Sequence, residues 1–254
     1  MREHVFTLHA SLEQRHWWFR GRRAIILPII DRVSTARPWT IIDVGCGTGG
    51  TVEALSKRYR CIGIDSSEVA ISTARALYRG AEFRCGVVPR DIQDLQAEAG
   101  LYLLMDVLEH IKNDREFLES IIWFARPGST FLITVPARQA LWSEHDITAG
   151  HFRRYEQEGL RLLWADLPVR ERLFTPFNYR LYPLIRALRY LGQLVHRSWG
   201  GKGTDFSLPP EPLNELLTWI FAGECSTVLS CLDNTRQSYP YTGVSLVALL
   251  EKNA

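Results

Sequence analysis

Eight consecutive residues constrain this chain more than any others: Asp43-Val44-Gly45-Cys46-Gly47-Thr48-Gly49-Gly50. They close Trp39-Thr40-Ile41-Ile42-Asp43-Val44, a short apolar, β-branched run of the kind that forms a strand buried on both faces. Thr51 to Arg60, which reads as a helix, follows them. Glycines between a strand and a helix let the backbone turn tightly and approach a ligand closely. A second strand is expected at Cys61 to Asp65, with Ser66 or Ser67 placed to cap a helix over Glu68 to Tyr78. Ala81 to Cys85 and Leu101 to Met105 read as third and fourth strands, Asp114 to Ala125 as a helix and Thr130 to Val135 as a fifth strand. Repeated β-α pairs of this length predict an α/β fold with helices on both faces of a parallel sheet.

The last third changes character. Val169 to Phe174 reads as a sixth strand and Gly243 to Leu250 as a late one, and the stretch between them is far longer than an ordinary connection. In it, Leu181, Leu184, Ile185, Leu188, Leu191 and Val195 recur at helical spacing among Arg180, Arg186, Arg189 and Arg197. A glycine-rich break at Gly200 to Gly203, with Lys202, precedes a second amphipathic run through Leu213, Leu216, Leu217, Ile220 and Phe221. The expected organisation is one domain over 1–254: an N-terminal cap (1–38), a cofactor-binding core (39–174), a helical insertion (175–238) and a last strand (239–254).

Composition removes several classes. Hydrophobic residues are 46% and charged residues 23%, ordinary for a globular chain and unlike a disordered one. A net charge of +2 argues against a surface built throughout for nucleic acid. No apolar run approaches the roughly 18 residues of a spanning helix, and the first residues lack a signal-peptide pattern. Five cysteines without paired zinc spacing point to reduced thiols and a cytoplasmic setting. Aromatics stand out: 8 Trp, two of them adjacent in His16-Trp17-Trp18-Phe19, between arginines.

Gly45, Gly47 and Gly50 satisfy G-x-G-x-x-G, and Asp65 follows at the distance of a ribose-binding acid, so a nicotinamide-dependent oxidoreductase is one reading. Asp43 points elsewhere: a carboxylate there would face a pyrophosphate, whereas it would suit the ammonium of a methionine moiety.

With these segments, Asp106-Val107-Leu108-Glu109-His110-Ile111, Arg126-Pro127-Gly128-Ser129-Thr130 and Thr134-Val135-Pro136, the chain resembles the class I S-adenosylmethionine-dependent methyltransferases. His16 to Arg23, His145-Asp146 to Tyr155 and Pro240 to Leu246 are similar to a bacterial subgroup related to the ubiquinone-biosynthesis O-methyltransferases. The resemblance implies a Rossmann-like seven-stranded mixed sheet with a terminal antiparallel strand, an N-terminal capping helix and a helical insertion before the last strand. It implies S-adenosyl-L-methionine as cofactor, with Asp43 and Gly45 at its amino-acid end, Cys46, Gly47 and Gly49 giving backbone access, Asp65 on the ribose hydroxyls, Ser66 at the adenine, and Leu104 and Met105 near the methionine part. Asp106, Trp18 and Arg22 complete the expected cofactor set. Where the family often has an acid after the third strand, this chain has Cys85-Gly86-Val87-Val88, which leaves Gly86 and its backbone for that contact.

The candidate chemistry lies after the fourth and fifth strands. His145 or His151 would serve as general base for a hydroxyl or amine acceptor. Glu109 and His110 either join them or anchor the turn. A helix from Val107 would set Asp106 and Glu109 on one face, and Asp106, Glu109 and His110 are also the candidate ligands for a divalent metal. Trp17, Trp18 and Phe19 would lie over the sulfonium or dock the helix, with Arg15, Arg20, Arg22 and Arg23 gripping an anionic acceptor or solvated. Arg153, Arg154 and Tyr155 pose the same alternative. The expected activity is O-methylation of a small or lipid-linked acceptor, of quinone or envelope-saccharide precursor type, with peripheral membrane contact through 178–199 at the inner face of the membrane. Its rivals are a non-catalytic cofactor-binding partner protein and an RNA methyltransferase.

Overall fold

A computed structural model of the chain describes residues 3–34, 39–194, 206–233 and 240–254. Val195, Arg197, Trp199 and the Gly200 to Gly203 break lie outside these residues. Two helices come first, α1 (Glu3–Leu12) and α2 (Trp17–Ser34), where one cap was expected. The β-α alternation follows: β1 (Thr40–Val44), α3 (Gly50–Ser56), β2 (Cys61–Asp65), α4 (Glu68–Leu77), β3 (Glu82–Cys85), β4 (Ala99–Met105), α5 (Asp114–Phe124) and β5 (Thr130–Pro136). Then come α6 (Glu144–Ala149), α7 (Gln157–Arg161), β6 (Val169–Phe177), α8 (Tyr182–Leu194), α9 (Glu211–Ala222), α10 (Cys225–Leu232) and β7 (Ser245–Lys252). The strands form one seven-stranded sheet in the order β3-β2-β1-β4-β5-β7-β6. The first five pair in parallel. β7 runs antiparallel to β5 on one side and β6 on the other, so the expected antiparallel strand lies inside the sheet.

The pleat decides what each strand residue meets. Ile42, Val44, Tyr102 and Leu104 point into one core layer, with Leu118, Ile121 and Ile122 of α5. Ile41, Leu101 and Leu103 point into the other, with Ile25, Ile26, Ile29 and Ile30 of α2 and Val228 and Cys231 of α10. Asp43 and Met105, in step with Ile41 and Leu103, share that second face at the carboxyl ends of their strands.

α9 packs along α2, and the approach is close. A Cβ on Gly21 would come within 2.5 Å of the Phe221 ring. Asn214 of α9 joins the two helices, accepting from the Trp17 N–H at 2.8 Å and donating to the Arg15 carbonyl at 2.9 Å. Glu211–Leu232, spanning α9 and α10, reaches a mean hydropathy of 1.2 and by length and composition alone could cross a membrane, contrary to the sequence reading. It is broken into two helices around Gly223-Glu224, and Glu224 is buried.

Several boundaries differ from expectation for local reasons. α3 stops at Ser56. After β4 there is no continuing helix, only one 3₁₀ turn over Leu108–His110, because Asp106 takes a left-handed φ of 59°. Asp106 and Glu109 therefore do not share a helix face. β6 runs on to Phe177, and the last strand starts at Ser245 because Gly243 lies against the Phe177 backbone, where a Cβ would sit 2.4 Å from its carbonyl oxygen.

Candidate active site

The glycine loop leaves β1 with Gly45 at φ 69° and Gly49 at φ 89°, conformations that side chains disfavour. Space is also short: a Cβ on Gly49 would meet the Phe83 ring at 2.6 Å. Gly47 differs, since a Cβ there would meet nothing within 4 Å. Its backbone faces open room. The Asp65 carboxylate braces the loop, accepting the Gly47 N–H at 3.0 Å and the Ser67 N–H at 2.8 Å. Glu13, just past α1, reaches the far side. One oxygen accepts from Thr48 Oγ1 at 2.9 Å and the Gly50 N–H at 3.2 Å, and the other from the Tyr78 hydroxyl at 2.7 Å. The cap is thus pinned to the loop by a buried carboxylate, whose pKa burial raises despite these donors.

Beside the loop lies a cavity of about 210 Å³. Gly45, Cys46, Gly47, Met105, Asp106, Trp18 and Arg22 line it, and so do Glu109, His110, His145 and His151. Asp43, Gly49, Asp65, Ser66, Gly86 and Leu104 are not on its wall. Leu104 is the clear departure: it points into the opposite core layer with no exposed surface. Ser66 is exposed, and Gly86 lies by Asp91, whose carboxylate accepts the neighbouring Val87 N–H at 2.7 Å. Asp43 is buried at the end of β1. Burial pushes its pKa up to about 7, Arg22 pulls it down and Asp65 adds to the rise. A buried acid so poised, beside a loop with open room above its backbone, fits a ligand that brings a positive charge.

Trp18 stacks under Arg22, whose guanidinium carbon lies 4.5 Å from the ring centroid. Arg22 is also ion-paired to Asp106. Asp106 is therefore spoken for by a cation of the cap and does not join the candidate metal set. Two other arginines of the segment have partners within the chain: Arg20 pairs with Glu215, and Arg23 donates to the Glu13 carbonyl. Phe19 is buried and stacks on Phe206 at 5.2 Å, while Trp17 meets Phe221 edge-on at 6.1 Å. The aromatic cluster thus both docks the cap and walls the cavity.

The histidines converge. His110 and His151 have ring centroids 4.7 Å apart, and His145 lies 6.1 Å from His151. Asp146, absent from the expected site, organises them. It is fully buried, caps α6 by accepting the Ser143 N–H at 2.9 Å, and meets both His151 Nδ1 and Arg154 Nε at 2.8 Å. Burial raises its pKa, but the His151 hydrogen bond and the charges of Arg154 and Arg189 overcome this and hold it well below the usual carboxylate range. An ionised carboxylate only accepts, so His151 donates through Nδ1, and in the neutral ring Nε2 is the acceptor. Arg153 and Tyr155 are structural partners of Asp114, at 2.8 and 2.7 Å. His110 is half-buried, and desolvation and the nearby His151 lower its pKa to about 3, so its ring is neutral.

Glu109 is fully buried, and neither carboxylate oxygen has a hydrogen-bond partner among the described residues; His110 Nδ1 is likewise unpartnered. Burial first, then Asp106, raises the Glu109 pKa well above that of an ordinary glutamate. One ligand atom each from Glu109, His110 and His151 lies within 4.8 Å of the others. Among the described residues, these three, rather than Asp106, Glu109 and His110, are placed to share an ion.

A family model described as a methyltransferase domain matches residues 17–177. The chain belongs to this methyltransferase family. The chain has the fold of a plantazolicin methyltransferase crystallised with S-adenosylhomocysteine, at a TM-score of 0.54 and 17% identity over 98% of this chain and 90% of that one. Among curated relatives, a Mycolicibacterium smegmatis protein named "Probable S-adenosylmethionine-dependent methyltransferase" is 23% identical over 60% of this chain and 58% of its own length. Ajmaline N-methyltransferase of Rauvolfia serpentina is 29% identical over 44% of each chain. Ubiquinone biosynthesis O-methyltransferase of Maricaulis maris is 31% identical over 36% of this chain and 38% of its own. The chain spans about half or less of the length of these relatives.

Proposed function

We propose that this methyltransferase transfers the cofactor's methyl group to a hydroxyl oxygen of a small or lipid-linked acceptor held in the cavity between the glycine loop and the histidine cluster. The observation that carries the reading is the Asp146–His151 pair, with Nδ1 on a buried carboxylate at 2.8 Å and a ring on the cavity wall. Bound S-adenosylmethionine supplies a methyl group activated on a sulfonium. The chain's own residues do the rest. The open backbone at Gly47 and the buried acid Asp43 would hold the amino-acid end, and Asp65 the ribose. Trp17, Trp18 and Phe19 keep water from the cavity. His151 Nε2 takes the hydroxyl proton as the oxygen becomes nucleophilic, and Asp146 stabilises the imidazolium and fixes the tautomer.

The unpartnered Glu109 carboxylate favours a second reading of the same step. A divalent cation, held by Glu109, His110 and His151, would supply Lewis acidity to the acceptor oxygen. For the acceptor, the exposed Leu184, Tyr190 and Leu191 of α8, with the exposed Arg186, support delivery at an anionic membrane surface.

The test is methyl transfer from labelled cofactor to a panel of phenolic and saccharide acceptors by wild type, Asp146→Asn and His151→Gln. A general base predicts a kcat loss of about 10²–10⁴-fold in both variants with S-adenosylhomocysteine affinity kept. Activity lost on chelation and restored by added zinc or manganese would decide for the metal. Undiminished turnover in both variants would sink the Asp146–His151 general base, and no transfer by wild type to any hydroxyl of the panel would sink the O-methylation reading.

A further inference from the structure

Asn178, the first residue beyond β6, has a feature the methyl-transfer step does not use. The residue lines the cavity and has no exposed surface, and neither Oδ1 nor Nδ2 has a hydrogen-bond partner among the described residues. A buried carboxamide ordinarily finds partners for both ends. Its backbone sits at φ 53°, in the left-handed region. The turn around it is held from outside. Glu224, buried between α9 and α10, accepts the Arg180 N–H at 2.8 Å, and the N–H groups of Tyr179 and Asn178 also face its carboxylate. Val244 hydrogen-bonds back to the Asn178 carbonyl at 3.4 Å. The backbone position is therefore fixed while the amide is left open.

The surrounding wall says what such an amide could read. Of the four guanidinium groups lining the cavity, three face carboxylates: Arg22 faces Asp106, and Arg154 and Arg189 face Asp146, the latter at 3.7 Å; the fourth, Arg23, sits at the glycine-loop end, where it donates to the Glu13 carbonyl and to Gln14 Oε1. No cation is left over for an anionic ligand among these three. Nearby Val244, Ser245, Pro136 and Ile185 carry no charge. Asn178 lies at β6, three strand positions from β4 and its histidine turn, which is roughly 14 Å at ordinary sheet spacing. It is placed for a part of the acceptor remote from the reacting oxygen.

We propose that Asn178 is a specificity-determining residue that hydrogen-bonds a neutral group of the acceptor carrying a donor beside an acceptor, such as a carboxamide. This rests on the reading of the cavity as the methyl-acceptor site. The probes are catechol, 3,4-dihydroxybenzamide and 3,4-dihydroxybenzoate, which share a ring and differ in the group offered to Asn178. They are titrated by calorimetry into full-length protein saturated with S-adenosylhomocysteine, as wild type and as Asn178→Gly. Glycine suits a φ of 53°, so the variant removes the amide without straining the turn. Wild type is expected to bind the benzamide about tenfold more tightly than either companion. Asn178→Gly is expected to bind all three equally, with S-adenosylhomocysteine affinity unchanged and a Tm at or above wild type. Failure of the benzamide to bind wild type, tightest binding of the benzoate, a preference that survives in Asn178→Gly, or a lower Tm in that variant would each overturn the assignment. Failure of wild type to bind S-adenosylhomocysteine would instead overturn the methyltransferase reading beneath it.

Discussion

Asp43 shows how one residue can tie binding to pH. In the cofactor-free protein its carboxyl titrates at about 7, against 3.8 for an unperturbed aspartate. The folded state therefore holds a proton between those values that the unfolded chain has released. Asp43 favours folding below about pH 3.8, and that contribution is lost as pH rises towards 7. Asp43→Asn should gain in unfolding free energy over wild type as pH is raised from 5 to 7, by roughly a few kcal/mol at most, with the difference level above 7, read as a rise in relative Tm. A ligand ammonium reverses the preference, so S-adenosylhomocysteine affinity of wild type should weaken as pH falls below 7, approaching tenfold per pH unit, and calorimetry at pH 6 and 8 would show it. A flat profile would remove Asp43 from the cofactor's amino end. At this scale sequence reading reached residue types better than partners. Glu109, His110, His145 and His151 were visible as chemistry-bearing side chains and do converge. Asp146 was not, because an acid three residues into a short helix reads as a cap, and it is also that. Glu13 lies far from the loop it braces, and nothing local marks it. Leu104 was misplaced by the pleat, which sends it and Met105 to opposite faces.

Among the elements, the strands were the most legible, because apolar runs between glycines and polar caps have few other uses. α6 and α7 escaped, being too short for any periodicity, and α10 is broken from α9 at a junction that reads as continuous apolar chain. The single expected cap is two helices, since His16 caps the second by accepting the Trp18 N–H at 3.2 Å. Two predictions belong here. Gly21→Val would force Phe221 away and wedge α9 from α2, at a cost of about 1–3 kcal/mol, visible as a fall of several degrees in Tm. Leu184→Glu with Leu191→Glu on the outer face of α8 should leave Tm within a degree or two and abolish co-sedimentation with phosphatidylglycerol vesicles, if this face meets a membrane. Equal sedimentation of variant and wild type would confine α8 to covering the cavity.

For the molecule as a whole, the sheet's central strands are the common wall of both core layers. Leu249 of β7 is fully buried between β5 and β6. Leu249→Ala should cost about 2–5 kcal/mol and lower the urea midpoint for the entire fold rather than release β6 alone, with fluorescence and far-ultraviolet dichroism falling together. Separate transitions would show that the outer pair of strands is its own cooperative body. The order β5-β7-β6 also sets a timetable during synthesis. Among the described residues β6 pairs only with β7, so from the moment Phe177 leaves the ribosomal exit tunnel until Ser245–Lys252 follows, the nascent chain carries a strand with no neighbour, and β5 shows an open edge to solvent. At ordinary elongation rates of about 5–20 residues per second this interval lasts seconds, long enough for holding chaperones, or another unfinished copy, to take the vacant place.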